Sequence, residues 1–596
     1  MRHDRSSVVS LMRRDGVSRG GPVAVCVADG VGAGLAAGAA SGALTGVALE
    51  WGDVVEVVAA IEAEIGPRWV LWSNDTASAL AMHGVRFERN WDLGAVHRLL
   101  FGGWRAEPAR VWAVLHGLAV NEIPVFEPPS LFTQQRDDVE LTEPVDAGGH
   151  LRPEWTAPDW EWSPQRLRLW ADLAFEAAEL QRARMTESEH PVRAVATARS
   201  ESAAELLCVE LARSGLPIDR GLAEQLIEDI CGPRPTTERE ADAQRHARDE
   251  KVLRHARSFP QADLRSPADV KLLLRSIGVE VPDTRAWRLQ ALREDHPLID
   301  ALLTWRKAER VSTTFGYGWL DQHLGGDGRL RGGWTGCDGA AGRMTATAGL
   351  HNMPAFLRSA VVAEPGYVFV RADLGQIEPR VLAAVSGDAD LARATVDDDM
   401  YAPVAAALAV DRPTAKVAVL GAMYGQTTGH GAQALRRLER AYPVAMGYLT
   451  AADIAGQHGR ELRTFGGRLI RTSFSGASLT PGADLAQVNE VNERNDRSRT
   501  AAQGRFARNA MVQGAAAELF KMWAVTVRAR GRDLGAEIVL CLHDELVVHV
   551  PIEHGASVAE LLHACLQEAA HRWAPGTGVR FVADVSIIER WSDAGH

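Results

Sequence analysis

The stretch EIVLCLHDELVVHVP, residues 537–551, constrains the fold of this chain more than any other. Two apolar runs flank a short polar centre that consists of His543, Asp544 and Glu545. Apolar runs of this length, separated by a few polar residues, predict a β-hairpin. We therefore expect acidic side chains at the tip of a hairpin.

A second apolar run also leads to an acid. The stretch GYVFVRADLGQIEPRVL, residues 366–382, predicts a strand that ends near Asp373 and is followed by a helix. Asp373 and Asp544 lie 171 positions apart (544 minus 373). If the fold brings them together, they can hold two Mg²⁺ ions, which prefer oxygen ligands and promote phosphoryl transfer. The alternative is that each is an ordinary surface acid at a turn.

Residues 411–425, DRPTAKVAVLGAMYG, predict a helix with Asp411 as the N-cap and Pro413 in the first turn. Four side chains recur every four residues on one face: Arg412, Lys416, Leu420 and Tyr424. Cations there suit phosphates, an aromatic ring suits a base or sugar, and the helix N-terminus adds positive charge. Lys416 can also donate a proton to a leaving pyrophosphate. Alone, such spacing is more typical of a solvated helix face.

Composition sets broader limits. The length of 596 residues predicts two or more domains. The net charge of −12 does not exclude nucleic acid, because a basic cleft can exist on an acidic protein. Six cysteines without metal-like spacing predict free buried thiols. No apolar run approaches the roughly 20 residues that span a bilayer, so we expect no membrane partner. Residues 1–20 are basic and lack the apolar stretch of a secretory signal. We therefore expect a disordered tail and a cytoplasmic protein.

Together, these stretches resemble the motifs of the family A DNA polymerases, the group that contains bacterial DNA polymerase I. Residues 373–378 are similar to the first palm motif of that family, residues 412–425 to its fingers helix, and residues 543–545 to its second palm carboxylate motif. Further similar stretches follow in the family's order at 342–354, 466–472 and 508–521. The resemblance covers about residues 195–596.

This resemblance implies a multidomain protein of the α/β and α+β classes. We expect a ribonuclease H-like domain of the 3′–5′ exonuclease type at residues 21–192 and a polymerase domain with an antiparallel palm sheet at 193–596. The expected subdomains are a thumb at about 215–335, fingers at about 391–499, and a palm at about 196–214, 336–390 and 500–596. No separate 5′ nuclease domain is expected.

The resemblance also implies a role for each site residue. The implied metal ligands are Asp373, Asp544 and Glu545, which would hold two Mg²⁺ ions while a primer 3′ hydroxyl attacks a deoxynucleoside triphosphate. Arg412 and Lys416 would bind the triphosphate, with Lys416 as the general acid. The rest of the nucleotide pocket would comprise Gln376, Glu378, Tyr401, Leu420 and Tyr424. Glu378 would lie beneath the sugar and exclude a 2′ hydroxyl.

A polar stripe predicts contact with DNA. Arg505, Asn509 and Gln513 stand four apart on an alanine-rich helix. Minor-groove acceptors are nearly the same for all base pairs, so such side chains can test base-pair geometry without reading sequence. The alternative is a solvated stripe. The resemblance adds further DNA contacts at Arg306, Lys307, Arg310, Arg343 and His543, of which the first three would meet the duplex backbone.

Two positions in the nucleotide pocket depart from the family's pattern. Leu420 stands where phenylalanine or tyrosine is usual, and Tyr401 stands where a phosphate-binding histidine is usual. Both changes leave substrate affinity and fidelity open. Neither change removes a predicted metal ligand.

The N-terminal domain departs further from the pattern. The exonuclease chemistry also uses two metals and needs about four carboxylates, the first two from an Asp-x-Glu on the first strand. Here that strand reads VAVCVADG, which contains no Asp-x-Glu. Asp75 and Asp172 resemble the other two acids, but Arg168 replaces a tyrosine four residues before the last. We therefore expect no proofreading activity.

These observations favour a monomeric, template-directed DNA polymerase without proofreading, which acts on primer-template DNA in repair or gap filling near the nucleoid. One alternative is a catalytically inactive DNA-binding scaffold, although a scaffold needs neither the paired acids nor the basic helix. Another is an RNA polymerase or reverse transcriptase. Glu378 argues for deoxynucleotides as substrates and leaves the template open.

Overall fold

The computed structural model describes residues 5–38, 44–126, 143–157, 162–256, 258–425, 431–472 and 488–594. The chain divides into two compact units. The first comprises Met1–Arg213, Trp334–Thr345 and Val370–Ile587, and the second comprises Ser214–Gly333, Ala346–Phe369 and Ile588–His596. Within the described ranges, no helix is both long and apolar enough to cross a membrane. All six cysteines are buried and free, as predicted.

A five-stranded sheet organises the N-terminal part of the first unit. Its strands are β1 (Pro22–Ala28), β2 (Gly32–Gly38), β3 (Leu44–Glu50), β4 (Arg68–Leu71) and β5 (Asn90–Asp92). Their order is β3-β2-β1-β4-β5, with antiparallel pairing from β1 to β3 and parallel pairing from β1 to β5 through β4. Successive β1 residues enter opposite cores because strand side chains alternate, Val25 on one face and Cys26 on the other.

Helices cover both faces of this sheet. They are α1 (Arg5–Arg14), α2 (Trp51–Glu64), α3 (Asp75–Met82), α4 (Leu93–Phe101), α5 (Pro108–Leu115), α6 (Pro164–Thr186) and α7 (Pro191–Ser214). Helix α6 packs directly on β2 at Gly34. A Cβ atom at that position would lie 2.1 Å from the carbonyl group of Leu167, so the close approach requires glycine.

The predicted disordered tail at residues 1–20 is wrong for the described part of that segment. Residues 5–14 form α1, which buries Val8, Val9 and Met12 in the same core as α2. These apolar residues have the spacing of one helix face, which indicates a packed helix even in a segment rich in basic residues. Residues 1–4 lie outside the described residues.

The second unit is mainly helical. It contains β6 (Leu216–Pro217), α8 (Arg220–Cys231), α9 (Glu238–Leu253), α10 (Pro267–Ser276), α11 (Ala286–Ala291), α12 (Pro297–Thr314), α13 (Tyr317–His323) and β7 (Arg329–Leu330). Strands β6 and β7 pair antiparallel. Leu273, Leu289 and Leu302 are buried together where α10, α11 and α12 meet, so these helices share one core.

The C-terminal half contains a four-stranded sheet and two short two-stranded sheets. The strands of these three sheets are β8 (Trp334–Asp338), β9 (Arg343–Ala346), β10 (Tyr367–Leu374), β11 (Leu462–Arg463), β12 (Leu469–Ile470), β13 (Glu537–Cys541), β14 (Glu545–Pro551) and β15 (Ala583–Ile588). The four-stranded sheet has the order β13-β14-β10-β15. Strands β13 and β14 form the predicted antiparallel hairpin. Because β10 is the neighbour of β14, the strand that carries Asp373 lies beside the hairpin that carries Asp544.

Helices complete this half of the chain. They are α14 (Ile377–Ser386), α15 (Ala389–Ala394), α16 (Tyr401–Leu408), α17 (Arg412–Tyr424), α18 (Gly431–Ala441), α19 (Pro443–Gln457), α20 (Val488–Arg530) and α21 (Gly555–Trp573). Helix α14 directly follows β10, as the sequence predicts. Within the fingers predicted at 391–499, residues 426–430 and 473–487 lie outside the described residues.

Candidate active site

The two predicted acids lie at neighbouring strand ends of the four-stranded sheet. Asp373 is the penultimate residue of β10, and Asp544 ends the turn between β13 and β14. The backbone N–H of Leu374 donates to the carbonyl oxygen of Asp544 at 2.7 Å, which holds the two acidic residues side by side. Partial burial of its carboxyl group, followed by the charges of Asp373 and Glu545, raises the pKa of Asp544 to about 6. The carboxylates therefore repel one another, and a cation would relieve that repulsion.

These acids fit a magnesium site. Across the described ranges, no group of three or more His, Cys, Asp and Glu side chains has the arrangement of a metal site. Mg²⁺ does not require one, because it is commonly bound by one or two carboxylates while water and substrate phosphates complete its shell. Asp373 and Asp544 supply oxygen donors in an acidic setting, which matches that need.

Arg371 pairs with two of the acids. Its Nη2 donates to Oδ2 of Asp373 at 2.9 Å, and its Nε donates to Oε1 of Glu545 at 2.9 Å. Arg371 and Glu545 are both buried. The sequence prediction did not include Arg371. The available signal was its position two residues before Asp373, since alternate residues of a strand share one face.

The basic helix begins as predicted. The side chain of Asp411 accepts a hydrogen bond from the backbone N–H of Thr414 at 2.8 Å. Arg412 is exposed and donates to both oxygens of Asp399, at 2.6 and 3.2 Å. Lys416, one turn further along α17, is also exposed. Asp399 was not predicted as a site residue, although the acidic run before α16 offered candidates.

Asp399 also connects Gln376 to this group. Nε2 of Gln376 donates to Oδ1 of Asp399 at 2.8 Å, and Oε1 of Gln376 accepts from the backbone N–H of Met400 at 2.9 Å. The backbone of Gln376 is left-handed, with φ 56° and ψ 42°, a region that residues other than glycine seldom occupy. Hydrogen bonds at both the nitrogen and the oxygen of the side-chain amide stabilise this turn between β10 and α14.

Glu378 on α14 accepts hydrogen bonds from two predicted residues, one on β9 and one on α17. Nη2 of Arg343 donates to its Oε1 at 2.9 Å, and the hydroxyl of Tyr424 donates to its Oε2 at 2.7 Å. Burial and the hydrogen bond to Glu378 raise the pKa of Tyr424 to about 12, and Gln513 is a further hydrogen-bond partner of the tyrosine. The carboxylate of Glu378 is thereby held by β9 and α17.

The two positions that depart from the family's pattern have different surroundings. The guanidinium carbon of Arg412 lies 5.8 Å from the ring centroid of Tyr401, which is buried. Burial and the charge of Glu378 raise the pKa of Tyr401 to about 12, so its hydroxyl is neutral at physiological pH. Leu420 is partly buried on α17.

The predicted polar stripe lies on α20. Arg505 is exposed and packs against Gly425, where an added Cβ would lie 2.8 Å from Cγ of the arginine. Oδ1 of Asn509 is buried and lacks a hydrogen-bond partner within the described part of the chain. His543 is exposed at the hairpin tip. An acceptor without a partner on Asn509 suits a hydrogen bond to a ligand.

The remaining predicted DNA contacts belong to the second unit, on α12. Arg306 is half-buried, donates to the carbonyl oxygen of Thr284, and has a pKa lowered by that burial. Lys307 is exposed, with its Nζ 5.8 Å from the ring centroid of Phe356. Arg310 is exposed. Lys307 and Arg310 are therefore better placed than Arg306 to meet an external phosphate.

The acids of the five-stranded sheet have other neighbours. Burial, followed by the charge of Asp172, raises the pKa of the Cys26 thiol on β1. Arg168 forms an ion pair with Asp172 at 3.2 Å. Asp75 accepts a hydrogen bond from the hydroxyl of Ser73 at 2.7 Å. A neutral thiol and a guanidinium are thus among the neighbours of Asp172.

Comparisons with known proteins agree with one another. Residues 236–593 match the model of DNA polymerase family A, which is more than half of the chain. The thermostable DNA polymerase I of Thermus aquaticus is 29% identical over 339 residues, which cover 52% of this chain and 38% of that protein. DNA polymerase I of Chloroflexus aurantiacus is 31% identical over 305 residues, which cover 46% of this chain and 30% of that protein. The chain thus spans about a third of the length of these relatives.

A solved structure extends the similarity to the whole fold. The POL domain of Pol1 from M. smegmatis, in complex with DNA primer-template and dNTP, matches with a TM-score of 0.67 and 21% identity. The match covers 100% of this chain and 100% of that one. At this identity, the comparison shows a shared fold.

Proposed function

Because the chain belongs to DNA polymerase family A, as its motifs predicted, we propose that it is a DNA-directed DNA polymerase. The observation that carries the proposal is the placement of Asp373 beside Asp544 through the 2.7 Å hydrogen bond from Leu374. We assign the four-stranded sheet to the palm, helices α15–α19 to the fingers and the helices of the second unit to the thumb. The five-stranded sheet has the strand order of a ribonuclease H-like domain, and we assign it to a former exonuclease domain.

Asp373 and Asp544 would hold two Mg²⁺ ions. When bound, such ions activate the attacking oxygen and stabilise the leaving oxygen of phosphoryl transfer. The contribution of the chain is to fix the two carboxylates on adjacent strands, which the Leu374 hydrogen bond and the Arg371 pair both support. The raised pKa of Asp544, due to burial and its acidic neighbours, is the expected property of a site in which negative charge is in excess.

Arg412 and Lys416 would bind the triphosphate of the incoming nucleotide. Both are exposed on one face near the N-terminus of α17, where the helix dipole also favours phosphate. The Arg412 guanidinium donates to both carboxylate oxygens of Asp399, which limits the orientations of the arginine side chain. Lys416 would donate the proton that the leaving pyrophosphate requires, because an ammonium releases a proton far more readily than a guanidinium.

Glu378 would discriminate against ribonucleotides. Its carboxylate is held by Arg343 and Tyr424, so it cannot move aside without the loss of two hydrogen bonds. A 2′ hydroxyl placed against a fixed carboxylate would be excluded by its size. Leu420 lies on the same face of α17 as Lys416 and Tyr424, and it would contact the sugar or base through apolar surface alone.

The polar side chains of α20 would contact the minor groove of the primer-template duplex. Arg505 is exposed, and the side-chain amide of Asn509 carries N–H groups that can donate to minor-groove acceptors, whereas Gln513 bonds to Tyr424. Arg343 and His543 would complete this group. In the second unit, Lys307 and Arg310 would bind the phosphate backbone, with Arg306 as a supporting residue, and these contacts would weaken as salt increases.

We further propose that proofreading is absent. On β1, the residue within the electrostatic reach of Asp172 is Cys26, whose thiol stays protonated because burial and Asp172 raise its pKa. Arg168 supplies Asp172 with a cation from the chain itself. A site of this kind has little attraction for a divalent ion. An enzyme without proofreading suits repair or gap filling in the cytoplasm, and it would act as a monomer.

Primer extension tests the proposal. A labelled primer-template is incubated with Mg²⁺ and either each deoxynucleotide, each ribonucleotide or no nucleotide. We expect template-directed extension with deoxynucleotides, little with ribonucleotides, and no shortening without nucleotide. An absence of extension while the DNA remains bound would favour an inactive scaffold, and steady 3′ shortening would refute the loss of proofreading.

A further inference from the structure

The acids of the proposed metal site share a built-in cation. Arg371 lies on β10, one pleat away from Asp373, and its side chain is only 8% exposed. Its guanidinium reaches Asp373 on its own strand and Glu545 on the neighbouring strand β14. One arginine therefore connects the two strands whose ends carry the acids.

Glu545 is engaged at both of its oxygens. Nε of Arg371 donates to Oε1 at 2.9 Å, and Nη2 donates to Oε2 at 3.4 Å. The Glu545 side chain is 6% exposed. To turn this carboxylate toward a metal ion would break a buried two-point pair and leave Nε of a buried guanidinium without its acceptor, which is costly. Glu545 is thus poorly suited to the role of metal ligand that the sequence predicted for it.

Asp373 has the opposite relation to the same arginine. Nη2 of Arg371 donates to its Oδ2, and the Asp373 side chain is 34% exposed. This hydrogen bond restricts rotation of the carboxylate while part of the side chain stays accessible. A carboxylate that is held in one orientation loses less conformational freedom when it binds an ion.

We propose that Arg371 is a positioning residue that orients Asp373 for the metal pair and withdraws Glu545 from the ligand set. This inference rests on the proposed polymerase function. The ions are then held by Asp373 and Asp544, with nucleotide phosphates and water as the other ligands. The fixed positive charge of the guanidinium also keeps affinity for a free divalent ion low until a triphosphate brings additional negative charge.

Binding of Mn²⁺ without nucleotide tests this role. Calorimetry compares the purified full chain with Arg371→Met, which keeps the length of the side chain and removes its charge. We expect Arg371→Met to bind Mn²⁺ more tightly by about tenfold, because a positive charge beside the site is lost and Glu545 is released. Unchanged or weaker Mn²⁺ binding by a folded Arg371→Met protein would overturn the proposal.

Glu545→Gln tests whether Glu545 is a metal ligand or only a partner of Arg371. It also provides a second variant in case Arg371→Met does not fold. The amide keeps an acceptor for Arg371, so the variant is expected to fold and to bind Mn²⁺ within about twofold of the parent chain. A loss of Mn²⁺ affinity by tenfold or more would make Glu545 a metal ligand and refute the inference. Arg371→Lys, which retains the charge without the planar fork, should show parental Mn²⁺ affinity with slower primer extension.

Arg528→Met serves as the matched control. Arg528 forms a buried two-point pair with Glu210, at 2.7 and 2.9 Å, so its loss resembles that of Arg371 in cost to folding. We expect it to lower stability without a change in Mn²⁺ affinity; an equal change in both variants would refute a specific role of Arg371. If the parent chain binds Mn²⁺ as expected but extends no primer, the proposed function fails while the metal-site inference stands.

Discussion

The two larger sheets of the first unit treat their acids in opposite ways. On the five-stranded sheet, Asp172 has Arg168 as an ion-pair partner and the Cys26 thiol within its field. On the four-stranded sheet, Arg371 is shared between Asp373 and Glu545, and Asp544 adds a third acid. The first arrangement is close to neutral, and the second has excess negative charge. We therefore propose that the balance of charge, rather than the presence of an acid at a strand end, decides which sheet can bind a metal ion.

The N-terminal part also contributes to stability through a buried glutamate. Arg98 on α4 donates to Glu205 on α7 at 2.7 Å, and Asn74 donates to the other oxygen of the same glutamate at 2.9 Å. Glu205 is buried. The N-terminal part thus has a packing role that does not depend on nuclease chemistry.

The largest effect is expected for Asp544→Asn. The variant loses one carboxylate of the proposed metal pair, and loss of several kcal/mol of transition-state stabilisation reduces extension by about a thousandfold or more. Single-turnover extension measures this rate. Primer-template affinity, measured by fluorescence anisotropy, should remain near that of the parent chain. A parallel loss of DNA binding would indicate that Asp544 is structural.

Arg98→Met tests the retained packing role. Removal of the arginine leaves Glu205 buried with a missing charge partner, which is expected to lower the free energy of unfolding by about 3 kcal/mol. The midpoint of urea unfolding measures this change. Arg182→Met, which removes an exposed pair with Glu179, is the control and should change stability by less than about 0.5 kcal/mol. Equal effects would mean that the buried pair is unimportant.

Lys416→Met should slow the chemical step by about a hundredfold, the usual contribution of a general acid. Rapid-quench extension at saturating nucleotide measures the rate. Lys416→Arg keeps the positive charge and is expected to retain nucleotide affinity while losing most of the rate, because a guanidinium does not release a proton readily. Full activity of the arginine variant would exclude proton donation.

A smaller effect is expected for Asp399→Asn. The Arg412 guanidinium loses its charged partner and Gln376 loses a carboxylate acceptor, so the KM for deoxynucleotide should rise about tenfold with a smaller change in kcat. The matched control is Asp398→Asn, since Asp398 is exposed and pairs with Arg580. If both variants behave alike, the effect comes from general surface charge.

The smallest effect is expected for Asp172→Asn. If the five-stranded sheet lacks nuclease chemistry, neither the parent chain nor the variant will shorten a primer, and stability should change by less than about 0.5 kcal/mol. Gel analysis of a primer labelled at its 5′ end measures shortening. Nuclease activity in the parent chain that disappears in the variant would erase the contrast between the two sheets.

The sequence predicted the parts of the site that local patterns encode. The hairpin tip at Asp544, the strand before Asp373 and the N-cap at Asp411 follow from apolar runs and capping preferences, and the structure contains all three. Arg371 and Asp399 were missed because their roles depend on partners 174 and 13 positions away. Helix α1 was not predicted because the segment is rich in basic residues, although its apolar residues have helical spacing. Pairings between distant strands need the fold before they can be recognised.

Anomalous X-ray diffraction at the manganese edge tests the central claim most directly. A crystal with primer-template, a non-hydrolysable deoxynucleotide and Mn²⁺ should show two peaks about 3.5–4 Å apart. We expect both to contact Asp373 or Asp544, with Glu545 still bound to Arg371. Peaks that avoid these aspartates, or no ordered manganese beside a bound nucleotide, would contradict the account.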